Sequence, residues 1–217
     1  MRLSIAILAI LLSFTTATQA QTAKKDTTTN EKSIKYRAEI GYGQVFRHGD
    51  FTPTFPYHTL KGGLNVEFPL SLGFGIETGL KYSMGFGKGF QAYSNNDSIK
   101  YKYSGHYLDI PARATYTLPI FWGLKLFAYA GPTFNINIAH KHDMSEVGNP
   151  SSNSLTNPSN NPFNLNRLNI QLGAGGGLQW KNYRVKSGYD WGLNNLSKNK
   201  NRPQRAQGWY VAFEYEF

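Results

Sequence analysis

The chain has 217 residues, 40% of them hydrophobic and 15% aromatic, with a formal net charge of +10, a mean hydropathy of −0.45 and no cysteine. The missing cysteine excludes a disulfide scaffold and a lipoprotein. Beyond the first twenty positions no stretch reaches about 18 consecutive apolar residues, which excludes membrane-spanning helices and leaves the aromatic excess to be explained.

"MRLSIAILAILLSFTTATQA", residues 1–20, has one Arg, an apolar run from Leu3 to Phe14 and small residues up to Ala20. That is the pattern of a secretory signal peptide cleaved near Ala20, with an apolar run too short to span a membrane. Residues 21–33, "QTAKKDTTTNEKS", are polar and read as a disordered lead-in. The remainder, 34–217, fits one domain.

Eight segments then show period-two alternation, the mark of strands with one apolar and one polar side. They are Ile34–Phe46, His58–Phe68, Leu72–Phe86, Ile99–Leu118, Leu124–His140, Arg167–Trp180, Tyr183–Leu193 and Gln207–Phe217. Most are longer than the five or so residues usual in soluble sheets. In the fifth, Leu124, Leu126, Ala128, Ala130, Pro132, Phe134, Ile136 and Ile138 take one side, and Lys125, Phe127, Tyr129, Thr133, Asn135 and Asn137 the other. The last ends the chain on alternating bulky residues, Trp209, Val211, Phe213, Tyr215 and Phe217.

The links alternate in length. Those after the second, fourth and sixth segments are short ("PLS", "PIFWG", "KN"), and those after the first, third, fifth and seventh are longer and polar. The longest, Lys141–Asn166, is rich in Asn, Ser and Pro and reads as loop throughout. Long strands, even strand number, and short turns at one end with long loops at the other define an all-β, eight-stranded antiparallel up-and-down transmembrane β-barrel of the cell outer membrane. Lipid offers no hydrogen bonds, so such a sheet must close on itself. A soluble lipocalin-like barrel is the rival, with its apolar side facing inward, but strand length and the alternating links favour the membrane. Closure pairs the last strand with the first. Counting from the rim predicts Phe217 near Ile34, Glu216 opposite Lys35 and Glu214 opposite Arg37, whereas a slip of two would set Glu214 against Lys35 or Glu39.

Three stretches carry a family resemblance. The final strand resembles the C-terminal signal that barrel-insertion machinery reads in bacterial outer membranes, which implies that role for Trp209, Val211, Phe213, Tyr215 and Phe217. "HYLDIPARATY", His106 to Tyr116, resembles the "YLEIP" strand of the PorT-type outer-membrane barrels of Bacteroidetes, and "GYDWGLNNLS", Gly188 to Ser197, resembles the "Y-x-x-G-L-x-N" run before their last strand. Arg113 departs from the small or apolar residue usual there. The family name comes from a member needed for type IX protein secretion, so the resemblance raises an accessory role in that export as one alternative.

With the apolar side on lipid, parity sends Lys35, Arg37, Glu39, Glu67, Glu77, Lys81, Asp109, Arg113, Lys125, Arg167, Arg184, Lys186, Asp190, Glu214 and Glu216 into the lumen. Eight strands leave an interior that side chains fill, so a paired ionic core of structural role is expected, not a pore. "GAGGG", Gly173–Gly177, lacks the Lys-Ser/Thr of a phosphate loop. Its inward glycines make room for Phe127 and Tyr129. Ser104 and His106 share a face near the outer rim, with His140 on the neighbouring strand. They raise a lipid A-modifying hydrolase as the other alternative, but no third group completes a site, and the expectation is a protein that is not an enzyme. Five histidines without cysteine give no metal spacing, and no cofactor is expected. The basic excess, including Lys198, Lys200, Arg202 and Arg205, suits lipopolysaccharide phosphates. Expected partners are outer-membrane lipid, the insertion machinery and a protein at the long loops. Nucleic acid is not among them, and the barrel is expected to be a monomer.

Overall fold

The computed structural model describes residues 33–49, 56–92, 98–147, 166–198 and 203–217. The expected signal peptide, most of the lead-in, and Lys200 and Arg202 lie outside the described residues. Eight strands follow in chain order: β1 Lys35–Gly49, β2 Pro56–Pro69, β3 Phe74–Ala92, β4 Ser98–Pro119, β5 Leu124–Val147, β6 Leu168–Trp180, β7 Tyr183–Gly192 and β8 Gln204–Glu216. Each pairs antiparallel with its sequence neighbour, and β1 pairs with β8, so the sheet closes as an up-and-down barrel. Every backbone ladder in the wall has a partner on both sides, as a sheet in hydrocarbon requires.

The alternation of the sequence becomes the two faces of the wall. Even-numbered positions of β3 face outward, with Ile76 and Leu80 48% and 54% exposed, whereas Glu77 and Lys81 between them are buried. Polar side chains therefore fill the inside, and apolar ones cover the outside. This is the reverse of a soluble lipocalin-like barrel.

The short connections are tight. A 3₁₀ turn, Ser71–Gly73, joins β2 to β3, and Lys181–Asn182 alone joins β6 to β7. Between β4 and β5, Trp122 and Gly123 adopt φ of 50° and 76°. The second value is the left-handed conformation that glycine enters without steric cost. The "LNNLS" part of the seventh link stitches three strand ends together. Asn194 Oδ1 accepts the Ile170 N–H at 2.8 Å, its Nδ2 donates to the Leu168 carbonyl at 2.8 Å, and Asn195 Oδ1 accepts the Gln204 N–H at 2.9 Å.

Two expectations need correction. The closure register is displaced by two residues: Arg37 opposes Glu216 and Glu39 opposes Glu214, and the Phe217 N–H donates to the Tyr36 carbonyl at 3.2 Å. In this register Arg37, deeply buried, holds Glu216, whereas Lys35 stays at the half-buried rim. The long polar link begins later than Lys141, because β5 continues to Val147 opposite Ser98 of β4. β3, β4 and β5 thus extend together past the first pairs of β2 and β6. The cause of the shortened reading is a bulge. His106 pairs with Ala139 but Tyr107 pairs with Asn137, so Ile138 is the extra residue and the alternation changes phase there. His140 pairs with Gly105, on the neighbouring strand at the height of Ser104 and His106.

Candidate functional site in the barrel lumen

Alternation places one inward side chain per two residues on all eight strands, and these side chains meet in layers along the axis. At the short-turn end, Arg37 bonds Glu67 at 2.6 Å and forks onto Glu216 through Nε and Nη2 at 2.9 and 2.8 Å. Arg184 reaches Glu67 at 3.1 Å and Glu77 at 3.5 Å, donates through Nε to Gln179 at 2.9 Å, and lies 4.1 Å from the Phe127 ring centre. The bidentate geometry of Arg suits such shared carboxylates.

The next layer resolves a conflict of charge. Glu39 and Glu214 are direct partners across the β1–β8 closure, and like charges so placed repel. Lys186 Nζ sits between them, 2.9 Å from Glu39 and 2.5 Å from Glu214. Asn65 Nδ2 donates to the same two carboxylates at 2.6 and 2.7 Å. Lys81 adds a third contact to Glu39 at 2.6 Å.

Above this is an arginine–tyrosine waist. Arg113 donates to Asp190 at 3.0 Å, Thr133 at 3.0 Å and the Tyr210 hydroxyl at 2.5 Å, and stacks 4.9 Å from the Tyr129 ring centre. Tyr129 and Tyr210 hydroxyls are 2.6 Å apart. The inward glycines fit here. A Cβ on Gly175 or Gly188, which are register partners, would collide with the Tyr129 hydroxyl, and one on Gly173 with Asp190. The expected relief of Phe127 is not the reason for these contacts.

The long-loop half is looser. Asp109 accepts from Ser83 and Asn135, while its cross-strand partner Lys81 turns away to Glu39. Lys61 stands 3.9 Å from Asp190 and 4.9 Å over the Tyr210 ring. Six buried carboxylates (Glu39, Glu67, Glu77, Asp109, Asp190 and Glu214) thus face six cations (Arg37, Lys61, Lys81, Arg113, Arg184 and Lys186) in the body of the lumen. At the mouth Arg47 is packed among Tyr57, Tyr103 and Tyr107.

Of the charged residues that parity sends inward, Lys35, Lys125 and Glu216 lie half-buried at the short-turn rim. Arg167 is exposed: it precedes β6, and its carbonyl accepts from the Asn137 N–H. The sequence reading omitted Lys61 and Arg47. Lys61 lies inside the second segment with the parity of Glu67, and Arg47 lies one residue beyond the first with the parity of Arg37, so the alternation itself finds both. Trp209, Val211, Phe213, Tyr215 and Phe217 all face outward, between 37% and 51% exposed. On the outer wall His106 Nδ1 is engaged by the Tyr82 hydroxyl at 2.5 Å. Among the described residues no group of three or more His, Asp or Glu is placed to hold a metal ion.

A family model described as "Outer membrane protein beta-barrel domain" matches residues 10–198. No curated protein matches the chain. Among solved structures, Neisserial surface protein A aligns over 85% of this chain and 99% of its own, at 11% identity and a TM-score of 0.48. Ail of Yersinia pestis aligns over 85% and 99%, at 17% identity and a TM-score of 0.41. The outer membrane enzyme PagL aligns over 82% and 98%, at 12% identity and a TM-score of 0.45.

Proposed function

Since the chain belongs to the outer membrane protein β-barrel domain family, and is a small eight-stranded barrel of the outer membrane, we propose that it is a closed, non-conducting barrel that holds its long-loop end out for interaction at the cell surface, without catalysis or cofactor. The observation that carries this reading is the packing of the lumen. Arg37, Arg184, Lys186 and Glu214 are each at most 1% exposed and bonded across the axis, so a hydrated ion has no continuous path. Purified protein in planar bilayers is expected to give no stable conductance. Reproducible porin-sized currents would overturn the proposal.

The outer wall argues in the same direction. A serine needs a base within hydrogen-bond reach to become a nucleophile, and among the described residues no hydrogen bond joins Ser104 to His106, whose Nδ1 is held by the Tyr82 hydroxyl. Ser104→Ala is therefore expected to leave the acylation pattern of lipid A unchanged in whole cells; an altered pattern would restore the hydrolase alternative. The "HYLDIP" and "GYDWGLNNLS" stretches support placing the chain in the PorT-type branch and make an accessory role in type IX secretion the second reading. Deleting the gene and assaying secreted cargo tests that role, and unchanged cargo rejects it.

A further inference from the structure

The outer wall near the long-loop end carries the same device twice. The Tyr42 hydroxyl lies 2.5 Å from His58 Nδ1, and the Tyr82 hydroxyl lies 2.5 Å from His106 Nδ1. In both, the tyrosine reaches the residue diagonal to its register partner, which is Leu60 in the first and Leu108 in the second. The ring centres are 5.9 Å apart in each, with planes 27° and 24° from parallel. Trp209 and Phe86 extend the first pair on either side, 6.0 Å from Tyr42 and 5.8 Å from His58. A belt of amphipathic rings on a barrel wall marks the membrane–water interface.

On the short-turn side of this belt the wall is apolar, with Leu60, Leu80, Met84 and Phe86 between 41% and 54% exposed. On its other side stand Lys88 and Lys102, exposed and directly opposed on β3 and β4. They are two residues beyond the Phe86–Ser104 pair, roughly 7 Å further along the strands. Like charges so placed repel, and an anion shared between them replaces that repulsion with two charge-assisted bonds. Lys102 also opposes Asp143 on β5, so Lys88 is the first contact for an anion and Lys102 the second. A tyrosine takes Nδ1 of each histidine, which leaves Nε2 for a partner outside the wall. Apolar wall, ring belt and cations thus follow one another along β3, in the order of acyl chain and phosphorylated headgroup in a membrane lipid.

We propose that this patch of β2, β3 and β4 binds the phosphorylated glycolipid of the outer leaflet, lipid A. A phosphate sits between Lys88 and Lys102, the histidine Nε2 atoms meet the sugar, and an acyl chain lies along Phe86, Met84 and Leu80. The patch is continuous with the lipid-facing wall, which makes the occupant a lipid. Lipid A in place of a phosphoglyceride rests on the reading above, in which the long-loop end faces the cell surface. Bilayer conductance tests that reading without these residues, and lipid binding in detergent does not depend on which way the barrel faces, so the two fail separately.

The test uses the full barrel in detergent, with fold checked by heat-modifiable migration on gels. Native mass spectrometry reads bound lipid during titration with lipid A, with lipid A stripped of its phosphates, and with phosphatidylglycerol. Lipid A is expected to bind, and loss of its phosphates to weaken binding by about tenfold or more. That comparison uses the unaltered protein, so it stands whether or not a variant folds. Lys88→Gln with Lys102→Gln is expected to weaken lipid A by a similar factor and to leave the phosphate-free lipid unchanged. His58→Phe with His106→Phe keeps the rings, removes the ring nitrogens and should weaken lipid A severalfold. Lys181→Gln, exposed at the opposite end, should change nothing. Equal binding of the phosphate-free lipid, no effect of either double variant, an equal loss in Lys181→Gln, or phosphatidylglycerol bound as tightly as lipid A would each overturn the proposal, as would no binding of lipid A.

Discussion

Lys186 is the residue on which the barrel closure depends most directly. It is 1% exposed and bridges Glu39 and Glu214, which oppose each other across β1 and β8. Lys186→Met keeps the length and removes the charge, leaving two buried carboxylates face to face. Stranding a buried charge costs about 3–5 kcal/mol, so the variant is expected to lower unfolding stability by that order. Adding Glu39→Gln, which removes one of the two opposed charges, should recover part of the loss. Urea unfolding in lipid vesicles, followed by tryptophan fluorescence, measures both, and equal stability of the single and double variants would mean that Lys186 does not hold the pair apart. The same residue shows what the sequence could not disclose. Parity sends Lys186 inward, but counting from the rim sets Glu214 against Arg37 and gives opposite charges a direct contact. The observed register is the slip of two that sets Glu214 against Glu39, and what favours it over opposite charges is visible only once Lys186 from β7 and Asn65 from β2 are seen to reach the same point.

At the level of the strand, alternation and connection length suffice to find all eight elements, because each has a lipid face and a lumen face over ten residues or more. The long-loop ends were less legible. There, side chains no longer choose between hydrocarbon and lumen, so the pattern that marks a strand loses its contrast. The bulge at Ile138 also breaks the period, which is why the reading of β5 stopped at His140 while the strand continues to Val147. Where the lipid face is unambiguous its cost is predictable. Leu80 sits midway along the outward row of β3 and is 54% exposed. Leu80→Arg is expected to destabilise the barrel by about 2–4 kcal/mol, the cost of a cation near the bilayer midplane. Leu72→Arg, in the turn at the short end, should cost little, since charges near the interface cost roughly 0–1 kcal/mol. Equal losses at the two sites would mean that the outward row does not lie in hydrocarbon.

The molecule as a whole stands or falls on the seam between its first and last strands. Seven of the eight strand pairings join sequence neighbours, and the seam alone joins β1 to β8. An open edge in lipid would leave a row of unsatisfied backbone groups, so closure is obligatory, but its register is set by side chains. The absence of cysteine from the whole chain makes the register measurable with introduced thiols. Ile40 and Phe213 are register partners on the outer wall. Directly opposed side chains on one face have Cβ atoms roughly 4.5–5.5 Å apart, within reach of a short thiol-bridging reagent. Ile40→Cys with Phe213→Cys is expected to bridge in high yield, and the bridged barrel should keep compact migration after boiling until the link is cleaved. Ile40→Cys with Val211→Cys, the pair required if Glu214 opposed Arg37, should bridge poorly, because diagonal neighbours lie roughly 7–8 Å apart. A higher yield from the second pair would move the seam back by two residues and separate Lys186 from its two carboxylates. Failure of both pairs in protein that still shows heat-modifiable migration would mean that β1 and β8 do not meet.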